Sequence, residues 1–173
     1  MKKSLLLSVF LFSLTFCLAQ KDKDFILTLH QDTIYGKVKI NDNDPHITFI
    51  HKRKRLYFHP AALRYFGVYK EGQYQRFKSV KNAKGKHLFA EVLLEGKMKL
   101  YKYREYVKNK EGILTLKELY FIGKSDEKLI TMYPNSFNLI LEVLAKEKPA
   151  LLAKAHTVNY KEVPRFVASY NQF

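Results

Sequence analysis

Three Glu-Gly dipeptides, each between β-rich stretches, constrain the fold of this chain more than any other sequence feature. They occupy residues 71–72, 95–96 and 111–112. Glycine adopts the positive φ angles that tight hairpin turns and their bulges require. With the Asn- and Asp-rich turns, they give turn signals at intervals of about 8–12 residues, which is typical of antiparallel strands joined by short turns. The sequence therefore predicts an antiparallel meander.

The stretch from His87 to Val107 is predicted to form the central hairpin of this meander, with its turn at Glu95-Gly96. Apolar side chains occupy both faces of its first strand, since successive residues of a strand point to opposite sides. One face carries Leu88, Ala90, Val92 and Leu94, and the other carries Phe89 and Leu93. We therefore expect this strand to be covered on both sides, by C-terminal helices or by a second layer of sheet.

The pattern changes from strands to helices at Pro134. About ten candidate strands precede this residue, on the evidence of alternation and turn signals. After it, a stripe of apolar residues follows helical spacing at Phe137, Ile140, Leu141 and Leu144. Two further short helices are predicted, one starting at Pro149 and one near Val163.

Strands followed by helices, rather than alternating with them, indicate the α+β class. We predict an antiparallel β-meander, as a sheet or a partly closed barrel, followed by two or three C-terminal helices. Residues 20–173 form a single β-rich domain in this interpretation, and its helical segment spans residues 135–173.

Residues 1–19 have the pattern of a secretory signal peptide. Lys2 and Lys3 precede an apolar run from Leu5 to Phe16, and small residues follow at Cys17 and Ala19. We predict cleavage after Ala19 and export to the periplasm or the extracellular space. A retained anchor is the alternative, although the apolar run is shorter than the ~20 residues of a membrane-spanning helix. Bulky Phe16 argues against lipidation of Cys17, and no later apolar segment could cross a membrane.

Cleavage would remove Cys17, the only cysteine of the chain. The mature protein could then form no disulfide, thiolate metal site or cysteine nucleophile. Loss of Lys2 and Lys3, with no acidic residue, would lower the net charge from +15 to +13. Such a surplus favours anionic partners, namely lipid headgroups, acidic polysaccharides, nucleic acids or acidic proteins, although it also serves solubility alone.

The basic run Lys52-Arg53-Lys54-Arg55 is the sharpest local feature of the sequence. It separates two strand-like halves, so it is predicted to occupy a hairpin tip. Four adjacent cations could bind phosphate or carboxylate groups there, with arginine binding in a bidentate manner. The alternative is a solvated loop whose charges discourage edge-to-edge pairing of strands.

A second basic set, Lys97, Lys99, Lys102 and Arg104, is interleaved with Tyr101, Tyr103 and Tyr106. Cations among aromatic rings can bind single-stranded nucleic acid, and tyrosines can also stack on sugars. The same mixture is ordinary in a β-strand, where tyrosine is frequent and lysine covers a solvated face. Export would make nucleic acid the less available of these partners.

The sequence contains no compact catalytic or metal-binding motif. His46 and His51 are five residues apart, so they would face opposite sides of one strand, and we predict no metal site or cofactor. Gly123-Lys124-Ser125 matches the end of a phosphate-binding loop, but its leading glycine position is Glu118 and no helix signal follows. A catalytic site assembled from several strands would leave no sequence motif.

Three segments resemble a group of secreted proteins from Bacteroidetes-type bacteria. They are Gln31-Asp-Thr-Ile-Tyr-Gly36, Phe89-Ala-Glu-Val-Leu-Leu-Glu-Gly-Lys-Met-Lys-Leu-Tyr101 and Tyr170-Asn171. Members of the group commonly have glycine where this chain has Gln31. The resemblance implies secretion, and it implies no catalytic activity, because none is established for the group.

These features together predict a secreted, non-enzymatic binding or assembly module of the cell envelope or extracellular space. Its basic surface would suit an anionic envelope component or an acidic protein. Two alternatives stay open: a secreted hydrolase with a site assembled from several strands, and a carrier of small ligands if the strands enclose a cavity.

Overall fold

The computed structural model describes residues 23–41 and 44–173, so the predicted signal peptide lies outside the described residues. The strands are β1 (Asp24–Thr28), β2 (Thr33–Ile40), β3 (Ile47–His51), β4 (Lys54–Phe58), β5 (Leu63–Lys70), β6 (Gln73–Lys81), β7 (His87–Leu94), β8 (Lys99–Lys108), β9 (Leu114–Gly123) and β10 (Ile130–Met132). The helices are α1 (Phe137–Lys146), α2 (Leu152–Ala155) and α3 (Val163–Gln172). Short 3₁₀ turns span Pro60–Ala62, Pro149–Leu151 and Tyr160–Glu162.

The ten strands form one antiparallel sheet, which confirms the predicted α+β class. Its order is β10-β9-β8-β7-β6-β5-β1-β2-β3-β4. Neighbours in sequence are neighbours in the sheet except at β5, which pairs with β1 instead of β4. The sheet is open, since β4 has β3 alone as its ladder partner in the part of the chain that the structure describes.

The first five strands curl strongly, although the sheet does not close. In a flat sheet, β4 and β5 would lie about 19 Å apart, at ~4.8 Å per strand spacing. The residues between Phe58 and Leu63 include the 3₁₀ turn Pro60–Ala62, which advances only ~2 Å per residue. The strands therefore bend around a shared core, whose buried members are Ile26, Val38, Ile47, Phe49, Leu63, Phe66 and Val68.

The helices cover the other end of the sheet and form a second core. Leu141 on α1 and Val167 on α3 are fully buried there against the sheet residues Leu100 and Ile122. This packing explains the apolar stripes of both helices, because the stripes share one core with residues of β8, β9 and β10. The predicted switch from strands to helices at Pro134 is confirmed.

The central hairpin has the predicted turn and is covered on both sides. Leu88 and Ala90 belong to a small core on one face, whereas Phe89 packs against the core of the curled strands. The assignment of Leu94 was wrong, because Leu94 packs with Leu93 against the helical core. A register shift between Val92 and Leu94 breaks the alternation on which that assignment depended.

Gln31 occupies the turn between β1 and β2 in a left-handed conformation, with φ of 70°. The turn is closed by a hydrogen bond from Gln31 N to Thr28 O (3.1 Å). A Cβ atom is unfavourable in this region, whereas glycine adopts it readily. The glycine that is common at this position in the resembling proteins would therefore suit this backbone better than Gln31 does.

We expect Gln31→Gly to raise the free energy of unfolding by about 0.5–1 kcal/mol, because relief of the left-handed strain exceeds the added entropy of the unfolded chain. Urea denaturation measures the change. Gln31→Ala is the matched control, since alanine keeps the Cβ atom and should leave stability nearly unchanged. Equal stabilisation by both variants would contradict the backbone explanation.

Candidate functional site

The basic run 52–55 lies at the tip of the β3–β4 hairpin, as predicted. His51 pairs with Lys54, so Lys52 and Arg53 form a two-residue turn. Their φ angles are 48° and 66°, the values of a turn that normally contains Asn-Gly. We call residues 52–55 the basic tip.

All four side chains of the basic tip are exposed. Within residues 23–41 and 44–173, no ion pair involves any of them. At the base of the tip, the His51 ring Nδ1 lies 2.9 Å from the Tyr35 carbonyl oxygen, a bond that joins the hairpin to β2. The cations are thus held on an ordered hairpin with no carboxylate to neutralise them.

The edge strand next to the tip is also exposed. Tyr57 on β4 is 70% exposed and Leu56 is 43% exposed. Cations beside an aromatic and an aliphatic side chain can contact a charged surface and its apolar border together. The tip and β4 therefore form one continuous exposed strip.

The conformation of the turn has an energetic cost. Left-handed conformations of residues other than glycine cost about 1–2 kcal/mol each, and the tip holds two such residues in succession. An Asn-Gly turn would relieve that strain and remove two cations. Strained backbone of this kind is concentrated at functional positions, which supports a role for Lys52 and Arg53 beyond turn formation.

The structure divides the second basic set between the two faces of β8. Lys99 Nζ bonds the Asp126 carboxylate at 3.1 Å on one face. On the other face, Lys102 Nζ lies 2.9 Å from Glu91 and Arg104 Nε lies 2.8 Å from Glu118. Lys97 is exposed in the turn before β8. These cations therefore form no single patch, and three of them hold a carboxylate.

The tyrosines of this segment are also separated. Tyr101 is fully buried, so its ring is not available for stacking on a ligand. Tyr103 and Tyr106 line a groove of about 710 Å³ that extends to the β2–β3 connection. The Tyr103 ring packs against Phe121, with 6.3 Å between ring centroids, so the exposed Tyr106 is the ring most open to stacking on a base or a sugar.

Asp126 is the centre of a polar cluster that the sequence did not reveal. Its carboxylate accepts hydrogen bonds from Lys78 Nζ (2.6 Å), Lys99 Nζ (3.1 Å) and Tyr101 OH (2.5 Å). The cluster joins the β9–β10 turn to strands β6 and β8. The three donors come from two strands that are distant in sequence, so no local spacing indicated them.

The Asp126 cluster is a stabilising contact with a defined pH dependence. Burial alone would raise the pKa of the Asp126 carboxyl, but the bonds from Lys78, Tyr101 and Lys99 outweigh burial and lower this pKa to about 2. Burial, and then the bond to Asp126, raises the pKa of Tyr101, which therefore stays a proton donor. Three donors on one carboxylate also make it a poor general base.

We expect Asp126→Asn to lower the free energy of unfolding at neutral pH by about 1–2 kcal/mol, after allowance for the solvent screening of a partly exposed carboxylate. The ionised carboxylate contributes its full stability above its ordinary pKa of 3.8 and loses it as pH falls through about 2. The difference in the free energy of unfolding between the wild-type protein and Asp126→Asn should therefore shrink as pH falls from 3.8 to about 2. Urea denaturation at a series of pH values measures this difference. Glu127→Gln, at an exposed neighbour, is the control, and a difference independent of pH would contradict the account.

His46 and His59 are engaged in local contacts. His46 Nδ1 lies 2.7 Å from Asp44 Oδ1, and the His46 ring is 5.2 Å from the His59 ring in an edge-to-face arrangement. Across the described ranges, no group of three or more His, Cys, Asp or Glu side chains could hold a metal ion. The same part of the chain contains no helix long and apolar enough to cross a membrane.

No family model, no curated protein and no solved structure shows a significant match to this chain.

Proposed function

We propose that this protein is an exported, non-enzymatic binding or assembly module that contacts an anionic component of the cell envelope through its basic tip. The observation that carries the proposal is the set of four consecutive exposed cations, Lys52 to Arg55, without an ion pair in the described structure. Export to the periplasm or beyond rests on the sequence pattern of residues 1–19.

The geometry of the tip supports this role. A two-residue turn between paired strands leaves little backbone freedom, so binding would order the side chains of the tip but little of its backbone. The two arginines can each present two parallel N–H groups to a phosphate or carboxylate. The tip therefore combines charge with preorganisation.

The second basic set is less suited to the same role. A ligand at Lys99, Lys102 or Arg104 would compete with the carboxylate that each of them already holds. Exposed cations without such partners can gain a new interaction and lose only hydration. The basic tip is therefore the stronger candidate. Within the described residues, Lys97 is the one member of the second set that has no ion pair.

The two alternatives receive less support. The ligand-carrier alternative requires that the strands enclose a cavity, and the sheet is open. A hydrolase site needs an available base or nucleophile, whereas the Asp126 carboxylate is held by three donors. No observation favours either alternative over the binding module.

Replacement of all four tip cations by glutamine is expected to weaken binding to phosphatidylglycerol vesicles and to dextran sulfate by about tenfold or more, since each cation near an anionic surface contributes up to about 1 kcal/mol. Glutamine keeps the Cβ atom, so the strain of the turn is unchanged. Cosedimentation and titration calorimetry measure the affinity, and the preferred probe distinguishes a lipid surface from a polyanion.

The control carries the same charge loss elsewhere on the protein. Lys146, Lys154, Lys161 and Arg165 are exposed residues of the helical segment and can be changed to glutamine together. Equal weakening by the two variants would show that net charge acts without the tip. Binding that does not weaken from about 0.05 M to about 0.5 M salt would also contradict the proposal, because exposed charges are screened over that range.

A further inference from the structure

The strands of the central hairpin separate after a short paired segment. β7 and β8 pair from Leu94–Leu100 to Glu91–Lys102, and their ladder ends there. β8 nevertheless continues to Lys108 in full register with β9. Among the residues that the structure describes, positions 106 to 108, in the outer half of β8, therefore have a ladder partner on the β9 side only.

The backbone groups of this outer half point in known directions. Asn109 N donates to Ile113 O (2.9 Å) at the end of the β8–β9 hairpin. Hydrogen-bonding direction alternates along an antiparallel strand, so Val107 also faces β9, and Tyr106 and Lys108 face the opposite side. Their N–H and C=O groups form a strand edge at the place where β7 has diverged.

This edge borders the 710 Å³ groove, in which aromatic side chains face cations. Phe77 and Phe89 line the groove and pack on the buried Phe66 ring, at 4.8 and 4.9 Å between ring centroids. Tyr106 and Leu114 add an exposed apolar border from the β8–β9 hairpin.

The groove is also positively charged. Lys70, Lys86, Lys102, Arg104 and Lys108 line it, against the acids Asp44, Glu91 and Glu105. Lys70, Lys86 and Lys108 have no ion pair in the described part of the chain. A segment entering the groove would therefore meet aromatic surface together with three cations that lack a carboxylate.

We propose that this groove binds an extended acidic segment of a partner protein, which adds as a strand to the β8 edge at Tyr106 and Lys108. Strand addition uses unpaired main-chain groups for affinity and side-chain pockets for specificity. Apolar side chains of the segment contact Phe77 and Phe89, and its carboxylates meet Lys70, Lys86 and Lys108. This site is separate from the basic tip and does not depend on the function proposed for the tip.

Charge selects this occupant over a second copy of the same chain. The net charge of +15, or +13 after the predicted cleavage, makes two copies repel, and the groove itself carries more cations than acids. An acidic segment is instead attracted both by the net positive charge of the protein and by the cations of the groove. Complementary charge of this kind speeds association and disfavours wrong partners.

The test uses a short peptide of alternating glutamate and valine, with a lysine–valine peptide as the charge control. Hydrogen exchange on the unmodified protein should show slower exchange of the Tyr106 and Lys108 amides in the presence of the acidic peptide. The lysine peptide should bind at least tenfold more weakly. Unprotected amides at both positions, or equal binding of the two peptides, would overturn the proposal.

Two substitutions of Tyr106 distinguish the contribution of its backbone N–H group to peptide binding from that of its side chain. Tyr106→Ala keeps the N–H group and should weaken binding a few-fold, whereas Tyr106→Pro removes that donor and should weaken binding at least tenfold further, because proline is tolerated at strand edges. Lys108→Pro repeats the test at the next edge position. Equal affinities of the alanine and proline variants, or a concentration-dependent dimer that excludes the peptide, would contradict strand addition.

Discussion

Replacement of Gly36 by alanine is expected to lower the free energy of unfolding by about 3 kcal/mol, which is the upper end of the usual cost of overpacking a core. A Cβ atom at this position would lie 2.5 Å from Cζ of Phe49 and 2.6 Å from the carbonyl oxygen of Ile50. The oxygen belongs to β3, whose Ile50 pairs with Lys37 on β2. Relief of the contact would therefore disturb the ladder of the curled strands, and not only a side chain.

Gly72→Ala is the matched control for this prediction. Gly72 has φ of 86°, and no heavy atom outside its two chain neighbours lies within 4 Å of the position that an added methyl group would take. Its substitution therefore costs backbone strain alone, or about 1 kcal/mol. Urea denaturation of both variants at neutral pH measures the two costs. Similar losses of stability would show that the approach of β2 to β3 is looser than the structure describes.

Asn171→Ala is expected to lower the free energy of unfolding by about 2–4 kcal/mol, since two partly buried backbone groups would lose their partner. Asn171 Oδ1 accepts from Met98 N (2.7 Å), and Asn171 Nδ2 donates to Met98 O (2.8 Å). A Cβ atom on Gly96 would meet the same side chain at 2.8 Å. One amide thus ties the end of α3 to the turn of the central hairpin.

Two neighbouring substitutions make the prediction specific. Asn171→Asp keeps the acceptor for Met98 N but places a carboxylate oxygen against Met98 O, so it should also destabilise the fold. Gln172→Ala, at the next and exposed position, should change stability by no more than about 0.5 kcal/mol. A loss of stability for Asn171→Ala no larger than that for Gln172→Ala, in thermal and urea unfolding, would show that the two hydrogen bonds between Asn171 and Met98 do not stabilise the contact of α3 with the hairpin.

The features that the sequence predicted correctly are those encoded locally. Glu-Gly at residues 71–72, 95–96 and 111–112 stands at hairpin turns, and Lys52 to Arg55 forms a tip, because turn residues and charges act over a few positions. The apolar stripe that begins at Phe137 likewise defines α1. Such signals need no knowledge of the rest of the chain.

The features that escaped prediction depend on contacts between distant residues. The bulge after Val92 moved Leu94 to the other core, and strict alternation contains no sign of it. The groove depends on the divergence of β7 from β8, although both sequences read as ordinary strands. Pairing of Lys102 with Glu91 and of Arg104 with Glu118 follows from strand register, which single-strand patterns do not specify.

The segments shared with the resembling secreted proteins have structural roles in this fold. Gln31 and Gly36 occupy a left-handed turn and a close approach of strands. Gly96 and Asn171 meet at the central turn. We propose on this basis that the chain shares the fold of that group, while its basic tip carries an individual binding function.

The most direct test of the central claim is a residue-resolved titration of the protein with the anionic probe that it prefers. We predict that the backbone amide signals of residues 51–56 shift first and most strongly in NMR spectra at low salt, and that these shifts disappear at high salt. The helical control cations Lys146, Lys154, Lys161 and Arg165 should show little change. Shifts spread over all exposed cations, or absent from the basic tip, would contradict the proposal that this hairpin is the binding site.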